Sequence, residues 1–130
     1  EVIEVCKKVG IHSDIQKLEK GYYELIESGG ENFSSGQKQK LGFVRVLLKK
    51  ADIVLLDEVT SDLDGEAERQ ICNQIEEIAK KAIVLNIAHK PESIRRSKKV
   101  FFIQGGKIVA EGTHKALMKN CVDYKKIFAN

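Results

Sequence analysis

The sequence has one proline and no apolar stretch approaching the length that crosses a membrane. A spanning helix takes about 20 consecutive apolar residues, and Ala82 to Ala88, among the longest apolar stretches here, falls far short. No basic leader with an apolar segment opens the chain at Glu1, so any membrane role is expected to be peripheral or supplied by other sequence. The only methionine is Met118, and the chain reads as a piece of something longer. Charge of one sign is also lacking. Lys and Arg number 22 against 19 Asp and Glu, a net +3, too small and too evenly spread to predict a nucleic-acid partner. Runs such as Lys7-Lys8 and Lys98-Lys99 read as solvated faces. Cys6, Cys72 and Cys121 show no CxxC spacing and cannot all pair, which fits a reducing compartment; with His12, His89 and His114 they form no zinc pattern.

What is present is ordinary globular material. With 42% hydrophobic and 32% charged residues over 130 positions, the length suits one domain with one sizeable core. Apolar residues at spacings of three and four from Val2 to Leu18 predict one or two short helices, punctuated by Gly10 and Gly21. A loop at Glu27 to Glu31 precedes a helix from Ser34 or Ser35 to about Lys50. Ile53 to Leu56 is fully apolar and ends in two carboxylates, the pattern of a buried parallel strand. A helix from about Gly65 to Lys80 follows, with Asp64 as N-cap, then a second strand at Ala82 to Ala88. Pro91 suits the first turn of a short helix. Val100 to Ile103 and Ile108 to Ala110 flank Gly105-Gly106, a hairpin signal, and two short helices close the chain. Strands alternating with helices predict an α/β fold, with a mainly parallel sheet and one antiparallel hairpin.

Three constellations carry chemistry. Phe33-Ser34-Ser35-Gly36-Gln37 stands at the mouth of a helix; Ser34 and Gln37 have capping-box spacing, and Gly36 lets backbone N–H groups approach an anion, which the helix dipole favours. Asp57-Glu58 follows an apolar strand, and Thr60-Ser61-Asp62-Leu63-Asp64 comes next. Such a pair can hold hydrated Mg²⁺ with one carboxylate and polarise a water with the other. His89 follows the second strand, at the end where α/β proteins bind ligands. Each pattern also has a purely structural use: helix capping, loop chemistry, a surface imidazole.

Their succession is more specific. Phe33 to Lys40, then Ile53 to Asp64, then Ile87-Ala88-His89-Lys90 resembles the signature motif, Walker B strand, D-loop and switch histidine of ATP-binding-cassette (ABC) transporter ATPases. Glu1 to Ile11 is similar to the middle of that family's helical subdomain. Gly105 to Val109, with Glu111 to His114, looks like the closing hairpin and helix of exporters. The resemblance implies a P-loop NTPase-like α/β fold, mainly parallel with flanking helices, present as a partial domain: residues 1–50 in the helical signature subdomain and 51–130 in the C-terminal part of the ATPase core. It implies ATP and Mg²⁺ as ligands, with Asp57 supporting Mg²⁺ through water, Glu58 as general base and His89 contacting the γ-phosphate. Ser34, Ser35, Gly36 and Gln37 would cap a nucleotide held by a second, head-to-tail nucleotide-binding domain, and Ser61 to Asp64 would link the two sites. The implied setting is the cytoplasmic face of a cell membrane, beside or fused to transmembrane domains, with ATP hydrolysis driving export. The pattern departs from the family at Ser35, where Gly is usual, at Asp62, where a small residue is usual, and at Lys40 and Lys90, where Arg is common.

No G-x-x-x-x-G-K-[ST] occurs in these 130 residues. That loop cradles the α- and β-phosphates, so the segment by itself is expected to be inactive. The family's sheet order places the missing P-loop strand between the strand before His89 and Val100 to Ile103, which predicts exposed edges and either self-association or a separately packed hairpin. Two other readings follow from the same residues. One is a non-catalytic interaction module that retains the fold. The other is a chromosome-maintenance or repair ATPase, against which the absence of flanking heptads counts.

Overall fold

A computed structural model describes residues 1–128. The chain forms two compact units, Glu1–Ala88 and the residues from His89 onward.

The first unit begins with α1 (Val2–Val9) and α2 (His12–Gln16). Cys6 and Val9 face inward from α1, which ends where Gly10 turns left-handed at φ 73°; a Cβ there would collide with the Gln70 side chain. Two short 3₁₀ turns, Gly21–Tyr23 and Ser28–Gly30, lead to α3 (Ser35–Lys49). The expected capping box starts α3. Ser34 Oγ accepts the Gln37 N–H at 3.2 Å, and Gln37 Oε1 accepts the Ser34 N–H at 2.9 Å. Next come β1 (Ile53–Asp57), α4 (Gly65–Ile78) and β2 (Ile83–Ile87). Asp64 caps α4 as expected, its Oδ1 accepting the N–H groups of Glu66 and Ala67 at 3.1 and 2.9 Å. Those N–H groups, Ala67's above all, hold the Asp64 carboxyl below the usual range.

β1 and β2 pair in parallel, Ile53 opposite Ile83 and Asp57 opposite Ile87. Only one face of this two-stranded sheet is covered. Val54 and Leu56 point into a core built with Cys6, Val9, Ile11, Ile15, Phe43, Val44, Leu63, Ala67 and Ile71. The opposite face carries Ile53, Leu55, Ile83, Leu85 and Ile87, between 53% and 72% exposed. The apolar run at 53–56 predicts burial on both sides, and the structure corrects this. The helices of this unit lie on one side, and among its described residues no layer covers the other.

The second unit holds α5 (Pro91–Arg95), the antiparallel hairpin of β3 (Val100–Gln104) and β4 (Lys107–Gly112), α6 (His114–Asn120) and α7 (Val122–Phe128). Gly105 and Gly106 both take positive φ, 57° and 74°, the geometry of a type I′ turn that matches strand twist. Thr113 Oγ1 caps α6 by accepting the Ala116 N–H at 3.2 Å. Tyr124 is buried against Phe102, His114 and Phe128, and its hydroxyl lies 2.8 Å from His114 Nδ1. The hairpin forms its own sheet, separate from β1 and β2. Cys6 and Cys72 are buried and Cys121 half-buried, none of them in a disulfide.

Candidate functional site

The first unit brings the N-terminus of α3 and the loop after β1 together. Gly36 lies one residue inside α3, where an added Cβ would stand 3.2 Å from the Asp62 carbonyl oxygen and 3.5 Å from Leu63 Cδ2. The glycine is needed for close approach to this loop, rather than for an unusual φ. Ser34 and Ser35 are exposed at the helix mouth, where the first N–H groups of any α-helix have no partner within it. Ser34 Oγ and Gln37 Oε1 both act as acceptors in the capping box, which leaves the serine hydroxyl protons at the helix mouth as donors.

β1 delivers Asp57 and Glu58 to the rim of an open cavity of about 250 Å³, lined also by Gln39, Gly42, Phe43, Val46, Leu55, Leu56 and Val59. The strand ladder runs one residue past β1, with the Glu58 N–H donating to the Ile87 carbonyl at 2.9 Å. Glu58 then turns left-handed, at φ 48°. A non-glycine residue in that region carries about 1 to 3 kcal/mol of strain and persists only where its surroundings over-determine it. Ser61 contributes to that restraint, its N–H donating to the Glu58 carbonyl at 3.0 Å. Thr60 and Leu63 are buried beneath the loop, while Ser61, Asp62 and Asp64 are exposed.

Asp57 and Glu58 are exposed oxygen donors beside an open cavity. This arrangement fits Mg²⁺, which keeps several waters and takes one or two protein carboxylates. No cluster of three or more metal-ligating side chains occurs among the described residues. His89 opens the second unit, two residues beyond the end of β2, and is exposed.

One residue of this region received no role from the sequence. The Gln39 amide bridges to the loop twice, Nε2 donating to Ser61 Oγ at 2.7 Å and Oε1 accepting the Asp62 N–H at 3.1 Å. The available signal was its position three residues after Gly36, hence on the same face of α3. Lys40 is placed as well: its Nζ donates to the Gly10 carbonyl at 3.0 Å, tying α3 to the end of α1.

The strand ending in paired carboxylates is thus set beside a serine-capped helix mouth. The family model described as ABC transporter matches residues 2–61. The chain is 38% identical over 125 residues, 96% of its length, to the ABC multidrug transporter MDR2 of Trichophyton rubrum, of which it spans 9%. It is 36% identical over 127 residues, 98% of its length, to the ATP-dependent lipid A-core flippase of Syntrophus aciditrophicus, of which it spans 21%. A solved bacterial Atm1-family ABC exporter with ATP bound superimposes with a TM-score of 0.92 at 28% identity, covering 98% of this chain and 23% of the exporter's. These likenesses support an ABC exporter nucleotide-binding domain, of which the chain is similar to a part.

Proposed function

We propose that this segment contributes the signature helix, Walker B carboxylates, D-loop and switch histidine to an ATP site shared by two head-to-tail nucleotide-binding domains. Hydrolysis there drives export through transmembrane domains at the cytoplasmic face of a membrane. Residues 1–50 belong to the helical signature subdomain and 51–130 to the C-terminal part of the core. The observation that carries this reading is Glu58, held left-handed at the end of β1 on the rim of the cavity that Asp57 also lines.

In this reading Asp57 orients water around Mg²⁺, whose charge offsets that of the phosphates when it is bound. Glu58 accepts the proton of the water that attacks the γ-phosphate. His89 donates a hydrogen bond to that phosphate. Ser34, Ser35, Gly36 and Gln37 present the mouth of α3, its backbone N–H groups and serine hydroxyls, to the nucleotide of the partner domain. Ser61 to Asp64 carry position from one site to the other. The cradle for the α- and β-phosphates is supplied by sequence other than these 130 residues, and this segment alone does not hydrolyse ATP.

The test is ATPase turnover of the full-length polypeptide carrying this segment. Glu58→Gln is expected to lower kcat by about 100-fold or more, the usual scale for losing a general base, while nucleotide binding persists. Turnover within threefold of the parent would overturn the assignment.

A further inference from the structure

Gln39 lies on the side of α3 that faces both the loop after β1 and the open cavity. Its amide uses both ends, donating to Ser61 Oγ at 2.7 Å and accepting from the Asp62 N–H at 3.1 Å. The bridged residues are 22 and 23 positions away in sequence, so the contact exists only in the folded state. The same side chain lines the cavity beside Asp57 and Glu58. Ser61 passes the restraint on, because its N–H holds the Glu58 carbonyl at 3.0 Å. The other side of Glu58 is held by its own N–H on the Ile87 carbonyl. Between these two restraints Glu58 keeps a backbone conformation that a free chain would leave.

We propose that Gln39 is a positioning residue for Glu58: through Ser61 and Asp62 it fixes the loop that orients the carboxylate, and it ties that loop to the helix whose mouth faces the partner's nucleotide. The uncharged amide donates at one end and accepts at the other without placing a charge beside the two carboxylates. Gly36 supports the same arrangement, one helical turn earlier, by letting α3 approach the Asp62 carbonyl. The proposal rests on the reading of Glu58 as general base.

The experiment uses the full-length polypeptide with Gln39→Met, which keeps the side-chain volume and removes both hydrogen bonds, alongside Gln39→Ala. Each is expected to lower kcat for ATP about fivefold or more, the scale of one lost hydrogen bond, with KM unchanged. Hydrogen exchange of residues 59–64 should quicken in both variants. Ser61→Ala should lower kcat comparably, and Gln39→Met with Ser61→Ala together should cost less than the product of the two. Faster exchange with undiminished kcat would reduce Gln39 to a structural brace and overturn the proposal. So would unchanged exchange, or strictly multiplicative effects. A parent that binds but does not hydrolyse ATP would instead sink the reading of the site itself, and the positioning role with it.

Discussion

Gly36 of the α3 mouth and Asp62 of the following loop stand so close that a single methyl group would come within 3.2 Å of the Asp62 carbonyl. That distance is shorter than comfortable van der Waals contact, so the loop must give by a few tenths of an ångström if Gly36 gains a side chain. Gly36→Ala is therefore expected to separate stability from activity. Alanine favours the helix by about 1 kcal/mol over glycine, which offsets the crowding, so the melting temperature should hold. ATP turnover should fall several-fold, because the displaced loop is the one that restrains Glu58. Thermal unfolding and steady-state kinetics on the same full-length preparation check both halves.

Glu58 offers a complementary test. Its left-handed backbone costs a non-glycine residue about 1 to 3 kcal/mol, which glycine does not incur. Glu58→Gly is expected to unfold no earlier than the parent, yet to lose turnover as completely as Glu58→Gln. A variant that gains or holds stability while losing all activity marks strain kept for function.

The uncovered sheet face predicts how the 130-residue polypeptide behaves when produced alone. Ile53, Leu55, Ile83, Leu85 and Ile87 form one contiguous apolar surface across the paired strands, and a two-stranded sheet also leaves hydrogen-bonding edges open. Self-association is expected, together with binding of a hydrophobic dye. Leu55→Ser with Leu85→Ser should weaken both without touching the core on the other face. Sedimentation velocity over a concentration series is the measurement.

In the second unit, His114 gives a pH dependence whose sign can be worked out. Burial, and to a lesser degree the Arg95 charge, hold His114 below its ordinary value. The unfolded imidazole takes a proton near pH 6.5, whereas the folded one resists it until lower pH. The packing of His114 on Tyr124 is thus fully stable above the unfolded value and weakens as pH falls from there toward the folded one. Amide exchange across α6 and α7, corrected for intrinsic rates, should quicken between about pH 7 and pH 5.5 in the parent. In His114→Gln that change should be largely absent.

Local patterns carried much of this architecture into the sequence. The capping box at Ser34 and Gln37, the Asp64 cap and the Gly105-Gly106 turn are each settled within three or four residues, so residue type and spacing suffice to read them. The α/β alternation and the order of the site motifs were legible for the same reason. Strand ends moved by a residue or two: Ile83–Ile87 rather than Ala82 to Ala88.

Tertiary structure decided the rest. Which face of the apolar strand 53–57 is covered depends on where α1, α3 and α4 pack, and a run of Ile, Val and Leu looks alike on both faces. The left-handed turn at Glu58 arises from hydrogen bonds to Ile87 and Ser61, which no local propensity of glutamate would favour. The Gln39 bridge joins residues more than twenty positions apart, and His114 meets Tyr124 only once α6 and α7 fold back on each other. Sequence determined which elements form and what chemistry they carry. Burial and long-range hydrogen bonding, which need the whole fold, determined which of those groups meet.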